Sequence, residues 1–291
     1  MLDSEVYDTL RRLSLAMAHK SSLNMSGNRK SIQKGISAEF SDFREYMPGD
    51  DLRRLDWNVY ARLDKMYIRE YMEEKESVVS VLLDTSASMD YGQQKKSQLA
   101  LDLLSVISFL ALNNMDRLVV YDMKEMNRGL VPGSGKNAFS KVLEWLESRS
   151  FDGEVDMLKA AKQMPGRGPG ITVIISDFFH PALFEKENPQ YEKLIQYLAY
   201  RRQRPVILQT LAGEELNITM NGTFNLIDME TNHKIRITVD AASVNSYEKE
   251  LNKLLLRIKK GCIPHGAYVL CDTTKDRNRL IFEDLRVLYD I

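Results

Sequence analysis

Charge of one sign is what this chain most lacks. Its 291 residues carry 40 Lys and Arg against 41 Asp and Glu, a formal net charge of -1. That balance argues against broad non-specific binding to nucleic acid or to an anionic membrane. Cysteine is scarce too, with only Cys262 and Cys271. Their separation fits no zinc motif and two thiols make no disulfide scaffold, so a reduced, cytoplasmic protein is expected. His19, His180, His233 and His265 are scattered, with no pair at metal spacing. No serine sits in a Gly-x-Ser-x-Gly elbow, which removes one route to an acyl-transfer nucleophile. The longest apolar stretch, Leu99 to Leu112, contains Asp102, Ser105 and Ser108. It is too short and too polar to span a bilayer and reads as a buried helix. Met1-Leu-Asp-Ser-Glu5 lacks the basic-then-apolar order of a signal peptide. No direct membrane insertion is expected.

What is present is a change of rhythm. The length allows one large or two modest domains. Leu2 to Ala18 places Val6, Leu10, Leu13 and Met17 at helical spacing. Residues 9–36 then hold six bases and no acid, which reads as a solvated arm. Pro48-Gly-Asp-Asp51 is a turn, Asp51 to Arg62 a short helix, and Lys65 to Tyr71 a half-exposed strand. From Ser77 onward, strands alternate with helices. Strands are expected at Val78–Leu83, Arg117–Tyr121, Ile171–Ser176, Pro205–Thr210 and Ala267–Leu270. Helices are expected at Ser97–Asn114, Ala138–Ser148, Val155–Gln163, Pro189–Arg202 and Val244–Lys260, the last ended by Gly261, with another from about Asp276. Phe224–Asp228 and Lys234–Val239 read as an inserted hairpin. The expected fold is α/β, a doubly wound, mostly parallel sheet covered on both faces. An N-terminal extension over residues 1–76 would precede the main domain over residues 77–291.

The most informative segment is Ser77-Val-Val-Ser-Val-Leu-Leu-Asp84-Thr-Ser86-Ala-Ser88-Met-Asp90. An apolar strand ends in an acid, followed by hydroxyls at alternating positions. Open α/β sheets hold their ligands at the carboxyl ends of strands. Carboxylate and hydroxyl oxygens are hard ligands that suit a hard dication. A second buried strand ends in Ser176-Asp177. Adjacent parallel strands lie about 5 Å apart, so the two acids can converge on one ion. Asp84, Ser86, Ser88 and Asp177 are therefore the candidate metal ligands, with Mg2+ or Mn2+ as the ion.

Two glycine-rich stretches do not carry phosphate chemistry. In Gly133-Ser-Gly135-Lys136-Asn137, Leu130 stands where the first glycine of a phosphate loop belongs, and Asn137 replaces the Ser or Thr. Pro165-Gly-Arg-Gly-Pro-Gly170 precedes a strand, whereas a dinucleotide loop follows one. Both read as turns.

At Asp84-x-Ser86-x-Ser88 and Ile174-Ile-Ser-Asp177-Phe the chain resembles the von Willebrand factor A fold and its metal-ion-dependent adhesion site. A longer segment narrows the match. Gly35-Ile-Ser-Ala-Glu39-Phe40-Ser-Asp-Phe-Arg44-Glu-Tyr46-Met-Pro48-Gly49-Asp50-Asp51-Leu-Arg53-Arg-Leu-Asp56-Trp57-Asn-Val-Tyr-Ala61-Arg62 resembles the signature of bacterial family fifty-eight of the domains of unknown function. Arg69-Glu70-Tyr71 and Glu73-Glu74-Lys75 fit as well, and the resemblance covers roughly residues 15 to 210. It implies a partner of MoxR-type AAA+ ATPases, an adaptor or chaperone-system component and not an enzyme. One position departs from the adhesion-site pattern. Val155, in Asp152-Gly153-Glu154-Val155-Asp156, stands where a threonine ligand is expected, and a valine offers no oxygen. The ion would lose that ligand, take a water, or draw on Glu154 or Asp156.

Within the signature, Arg53, Trp57 and Arg62 are candidate partner-binding residues, since Trp and Arg are enriched in interface hot spots. Leu55 and Val59 flank Trp57, so a clamp onto the neighbouring sheet is the competing role. Three functions remain open. One is a binding module whose ion is completed by an acidic side chain of a protein ligand. A second is a magnesium phosphohydrolase of the haloacid dehalogenase kind. That chemistry needs a carboxylate two residues after the first, where Ser86 stands. A third is a metal-free scaffold.

Overall fold

The computed structural model describes residues 2–15, 38–73 and 78–290, apart from 136, 167, 186–188, 228 and 230–232. From residue 16 onward, the basic arm expected over residues 9–36 lies outside the described residues. The chain divides into two compact units, residues 1–25 with 77–291 and residues 26–76.

The larger unit opens with helix α1 (Ser4–Leu10) and a two-residue strand β1 (Ser14–Leu15). The helix is shorter than its apolar spacing predicts. Ser14 and Leu15 leave it to pair antiparallel with Asp290 and Tyr289 near the C-terminus. Val6 and Leu10 are buried in the main core, and the Tyr7 hydroxyl donates to Ser105 Oγ at 3.1 Å.

The smaller unit is a hairpin of β2 (Ala38–Glu45) and β3 (Tyr67–Glu73) with helix α2 (Trp57–Leu63) in its connection. A register shift between Phe40 and Asp42 breaks the alternation of β2, which hides that strand in the sequence. The single helix expected over Asp51–Arg62 is two pieces. Asp51 caps a 3-10 turn at Leu52–Arg54, and buried Asp56 caps α2 through the amides of Asn58 and Val59. Two acids at capping positions start two helices where one was expected. Leu55, between them, bridges to Ile68.

The rest of the larger unit follows the alternating pattern. In chain order come β4 (Val78–Leu83), α3 (Lys96–Asn113), β5 (Arg117–Asp122), α4 (Ala138–Glu147), α5 (Met157–Gln163), β6 (Gly170–Ser176), α6 (Gln190–Tyr200) and β7 (Gln203–Leu211). Then come the single turn α7 (Gly213–Leu216), the hairpin β8 (Gly222–Ile227) and β9 (Lys234–Val239), α8 (Ala241–Cys262), β10 (Ala267–Asp272), α9 (Arg277–Phe282) and β11 (Tyr289–Asp290). Five strands form one parallel sheet in the order β10-β7-β6-β4-β5. Every residue of β4 and β6 is buried, as a central parallel strand requires. Val79, Val81 and Leu83 face one core with α1, α3, α4 and α9. Leu82 faces a second core with α5, α6 and α8. The sheet is thus the doubly wound, mostly parallel α/β architecture that the sequence predicts, with the hairpin β8–β9 inserted.

One expected helix end moves. Helix α8 starts on an Asp240 cap and continues through Gly261 to Cys262. Gly261 serves packing here. A Cβ on it would lie 2.7 Å from the Tyr191 ring, whose hydroxyl donates to the Ile258 carbonyl at 2.6 Å.

Candidate functional site

The strand order reverses at β4. The chain leaves β4 for β5 on one side and returns to β6 on the other. Crevices for ligands open at such a switch point, beyond the carboxyl ends of the strands. Asp84 and Asp177 are the residues immediately past β4 and β6 there. Register places Leu83 beside Ile175, and the Asp84 amide extends the ladder to the Ile175 carbonyl at 3.0 Å.

The loop after β4 is held from both sides. Thr85 turns toward β5 and donates to Asp122 Oδ1 at 2.5 Å. Its carbonyl accepts the Asp152 amide, and the Ala87 amide donates to the Gly153 carbonyl, each at 3.0 Å. Asp84 and Ser86 stay within the crevice. Asp84 Oδ1 accepts from the Ser86 amide at 2.9 Å and from Ser86 Oγ at 2.7 Å. Ser86 Oγ and Ser88 Oγ are 3.1 Å apart. Across the strand gap, Ser176 Oγ donates to Asp84 Oδ2 at 2.6 Å and accepts from the Phe178 amide at 3.0 Å. Phe178 holds φ at 59°, a left-handed conformation fixed by these contacts and by complete burial.

Asp84 is 2% exposed. Burial raises its carboxyl above the ordinary value, and the neighbouring Asp177 charge raises it further, against the hydrogen bonds from Ser176 and Ser86. Asp177 is placed differently. Its Oδ2 lies 2.7 Å from Lys96 Nζ, and its Oδ1 accepts from the Phe179 amide at 3.1 Å. Lys96 Nζ also lies 2.6 Å from Glu215 Oε1 on α7. Burial alone would lower the Lys96 ammonium, but the Asp177 and Glu215 carboxylates outweigh it and raise it. Glu215 is itself raised, because its burial outweighs the pull of Lys96. Sequence reasoning passed over both Lys96 and Glu215.

The oxygens lie at spacings that an octahedral shell could also use. Bonds of about 2.0–2.1 Å put neighbouring ligand oxygens of an octahedral shell about 2.9 Å apart. The Asp84 Oδ1–Ser86 Oγ and Ser86 Oγ–Ser88 Oγ separations of 2.7 and 3.1 Å bracket that edge. Charge points the same way. Three carboxylates, Asp84, Asp177 and Glu215, share the crevice with one ammonium. Asp84, Ser86 and Ser88 thus gather one carboxylate and two hydroxyls, the kind of oxygen donor a hard dication takes. Among the described residues, no group of three His, Cys, Asp or Glu side chains is spaced to hold a metal.

Val155 is 5% exposed and packs in the second core, so its position supplies no oxygen. Asp156 caps α5 through the Lys159 amide at 2.8 Å. Glu154 and His180 line a separate groove of about 610 Å³ with Lys124, Lys159 and Gln163. In the smaller unit, Arg53, Trp57 and Arg62 are all exposed. Trp57, at 63% exposure, stands edge-on to Tyr60 and is no buried anchor.

A family model described as a protein of unknown function, DUF58, matches residues 42–253. The chain belongs to the DUF58 family. The matched span takes in Asp84, Ser86, Ser88, Lys96, Asp177 and Glu215. This DUF58 chain is 30% identical over 189 residues to the uncharacterised protein Mb1516 of Mycobacterium bovis, covering 62% of this chain and 59% of that protein. Rv1480 of Mycobacterium tuberculosis, also uncharacterised, aligns with the same figures. The match thus spans about three-fifths of these curated relatives. Among solved structures, the conserved hypothetical protein BatB from Bacteroides thetaiotaomicron aligns with a TM-score of 0.40 at 14% identity, over 73% of this chain and 98% of that one. An aerotolerance-related membrane protein from Bacteroides fragilis aligns with a TM-score of 0.37 at 15% identity, over 72% and 99%. Among the described residues of the DUF58 chain, no helix is long and apolar enough to cross a membrane.

Proposed function

We propose that this DUF58 protein is a non-enzymatic binding module of the von Willebrand factor A type. Its partner is a MoxR-type AAA+ ATPase, as the family resemblance implies, and the contact is made in the cytoplasm. Asp84, Ser86 and Ser88 would hold a Mg2+ or Mn2+ ion, with the Asp177 charge close by. Bound there, the ion would supply positive charge. The chain's own residues position that charge at the sheet's mouth, where an acidic side chain of the partner can reach it. Arg53, Trp57 and Arg62 form a second contact surface.

The observation that carries this reading is the edge-matched row of Asp84 and the two serines at the switch point. Ser86 also supports a binding role over phosphohydrolase chemistry. It donates its hydroxyl to Asp84 where that chemistry requires a second carboxylate. The test mixes the purified chain with the MoxR-type ATPase of the same host and reads complex formation by sedimentation. A complex is expected with the wild type in Mg2+ and not with Asp84→Ala. Because chelators also strip the ATPase, the variant decides. Equal binding by both proteins would sink recognition through the ion.

A further inference from the structure

The crevice contains a second seat for a cation, and the chain fills it itself. Lys96 is 1% exposed, although lysine is almost never fully buried. Its ammonium sits 2.7 Å from Asp177 and 2.6 Å from Glu215, with the rings of Tyr91 and Phe179 at 5.7 and 5.4 Å. The seat is built from fixed parts. Glu215 Oε2 accepts the Ala212 amide at 2.7 Å, and the Glu215 carbonyl accepts from the Tyr247 hydroxyl at 2.9 Å. Gln93, in the loop before α3, donates its amide to Glu214 at 2.9 Å.

We infer that Lys96 is the resident counter-ion of Asp177 and keeps that carboxylate out of the shell of an ion bound by Asp84, Ser86 and Ser88. The inference rests on the metal reading above and names the residue that sets the ion's affinity. Asp84 and Asp177 end neighbouring strands, so a dication would otherwise draw both. The ammonium takes one Asp177 oxygen and neutralises its charge, and it repels a second cation close by. Asp84, Ser86 and Ser88 would then hold the ion without Asp177, and a partner's acidic side chain could reach it.

The placement of Lys96 has no local justification. It is the first residue of α3, where the positive end of the helix dipole disfavours a cation, and no acid stands in that first turn. A choice that breaks a local rule belongs where the surrounding site demands it.

The experiment is Mn2+ titration by calorimetry of the full chain as wild type, Lys96→Met, Lys96→Gln, Lys96→Met/Asp177→Asn and Asp84→Ala. Circular dichroism checks each fold, and the glutamine keeps a hydrogen-bond donor where methionine does not. Both single Lys96 variants are expected to bind at least roughly 10-fold tighter than the wild type, because a repelling charge is removed and Asp177 is freed, and the double variant to lose the gain. No gain in a folded Lys96 variant, or a gain that survives Asp177→Asn, overturns the inference and leaves the metal reading standing. Binding by Asp84→Ala equal to wild type, or by none of the proteins, overturns the metal reading and this inference with it. Binding by the Lys96 variants alone overturns the metal reading for the wild-type chain, and this inference with it.

Discussion

Ser176 donates its hydroxyl to Asp84 across the gap between two strand ends, at 2.6 Å. The same oxygen accepts the Phe178 amide, so one serine joins the tip of β4 to the turn that follows β6. The carboxylate it serves is buried beside a second acid, which gives the site a measurable signature.

Burial first, and then the Asp177 charge, raise the Asp84 carboxyl above its ordinary value. The folded chain therefore holds that proton more tightly than the unfolded chain. By linkage, Asp84 lowers stability as pH rises from the unfolded value through the raised folded one. In chelator at neutral pH, Asp84→Asn is expected to melt at a higher temperature than the wild type, and to lose any stabilisation by Mg2+. Scanning calorimetry across acidic to neutral pH checks it. A variant that melts lower than the wild type at neutral pH would show that the charge is already compensated.

Gly261→Ala sets two effects against each other. Alanine gains about 1 kcal/mol in helix propensity. The new methyl meets the Tyr191 ring at 2.7 Å, and overpacking a filled core costs about 1–3 kcal/mol. Tyr191 is fully buried and tied to Ile258, so it has little room to yield. We expect net destabilisation of about 1 kcal/mol in urea titration. A stabilised variant would mean that the ring moves freely.

Both thiols should be inert in the folded chain. Burial pushes Cys262 up to about 12, and burial also raises Cys271. A thiol reacts as its thiolate, so neither is nucleophilic near neutrality. A disulfide-forming chromogenic reagent is expected to read no thiol in the native chain and two after denaturation. Rapid native labelling would contradict the packing of both.

Trp57→Ala separates surface from support. The ring is 63% exposed, so its loss should change stability by less than about 0.5 kcal/mol. If it is a contact residue, the variant keeps the wild-type melting curve and loses ATPase capture. A large drop in melting temperature would restore the anchoring role.

The strands were the legible part. Val78–Leu83 and Ile171–Ser176 are apolar runs whose lengths and ends matched their strands closely, because both faces of a central parallel strand are buried. Asp84, Ser86 and Ser88 were legible because they are near neighbours in sequence. Lys96 was not, since a lysine at a helix start reads as solvated charge. Its partner Glu215 lies 119 residues away and reaches it only through the sheet order. The available signal was negative: a cation at the wrong end of a long apolar helix. Leu55 and Val59 flank Trp57 in sequence, but Leu55 is buried while Trp57 is exposed, a difference that the apolar context does not show.

The bond from Tyr247 to the Glu215 carbonyl has a mechanical corollary. Helix α8, which carries Tyr247, is 22 residues long, a rod of about 33 Å. Its far end is fixed where Tyr191 grips Ile258 and Gly261. A tilt about that pivot is felt most near the opposite tip, where the tyrosine meets α7. Displacement about a fixed point grows with distance from it, so any tilt of the rod would be largest beside Glu215 and the lysine it holds.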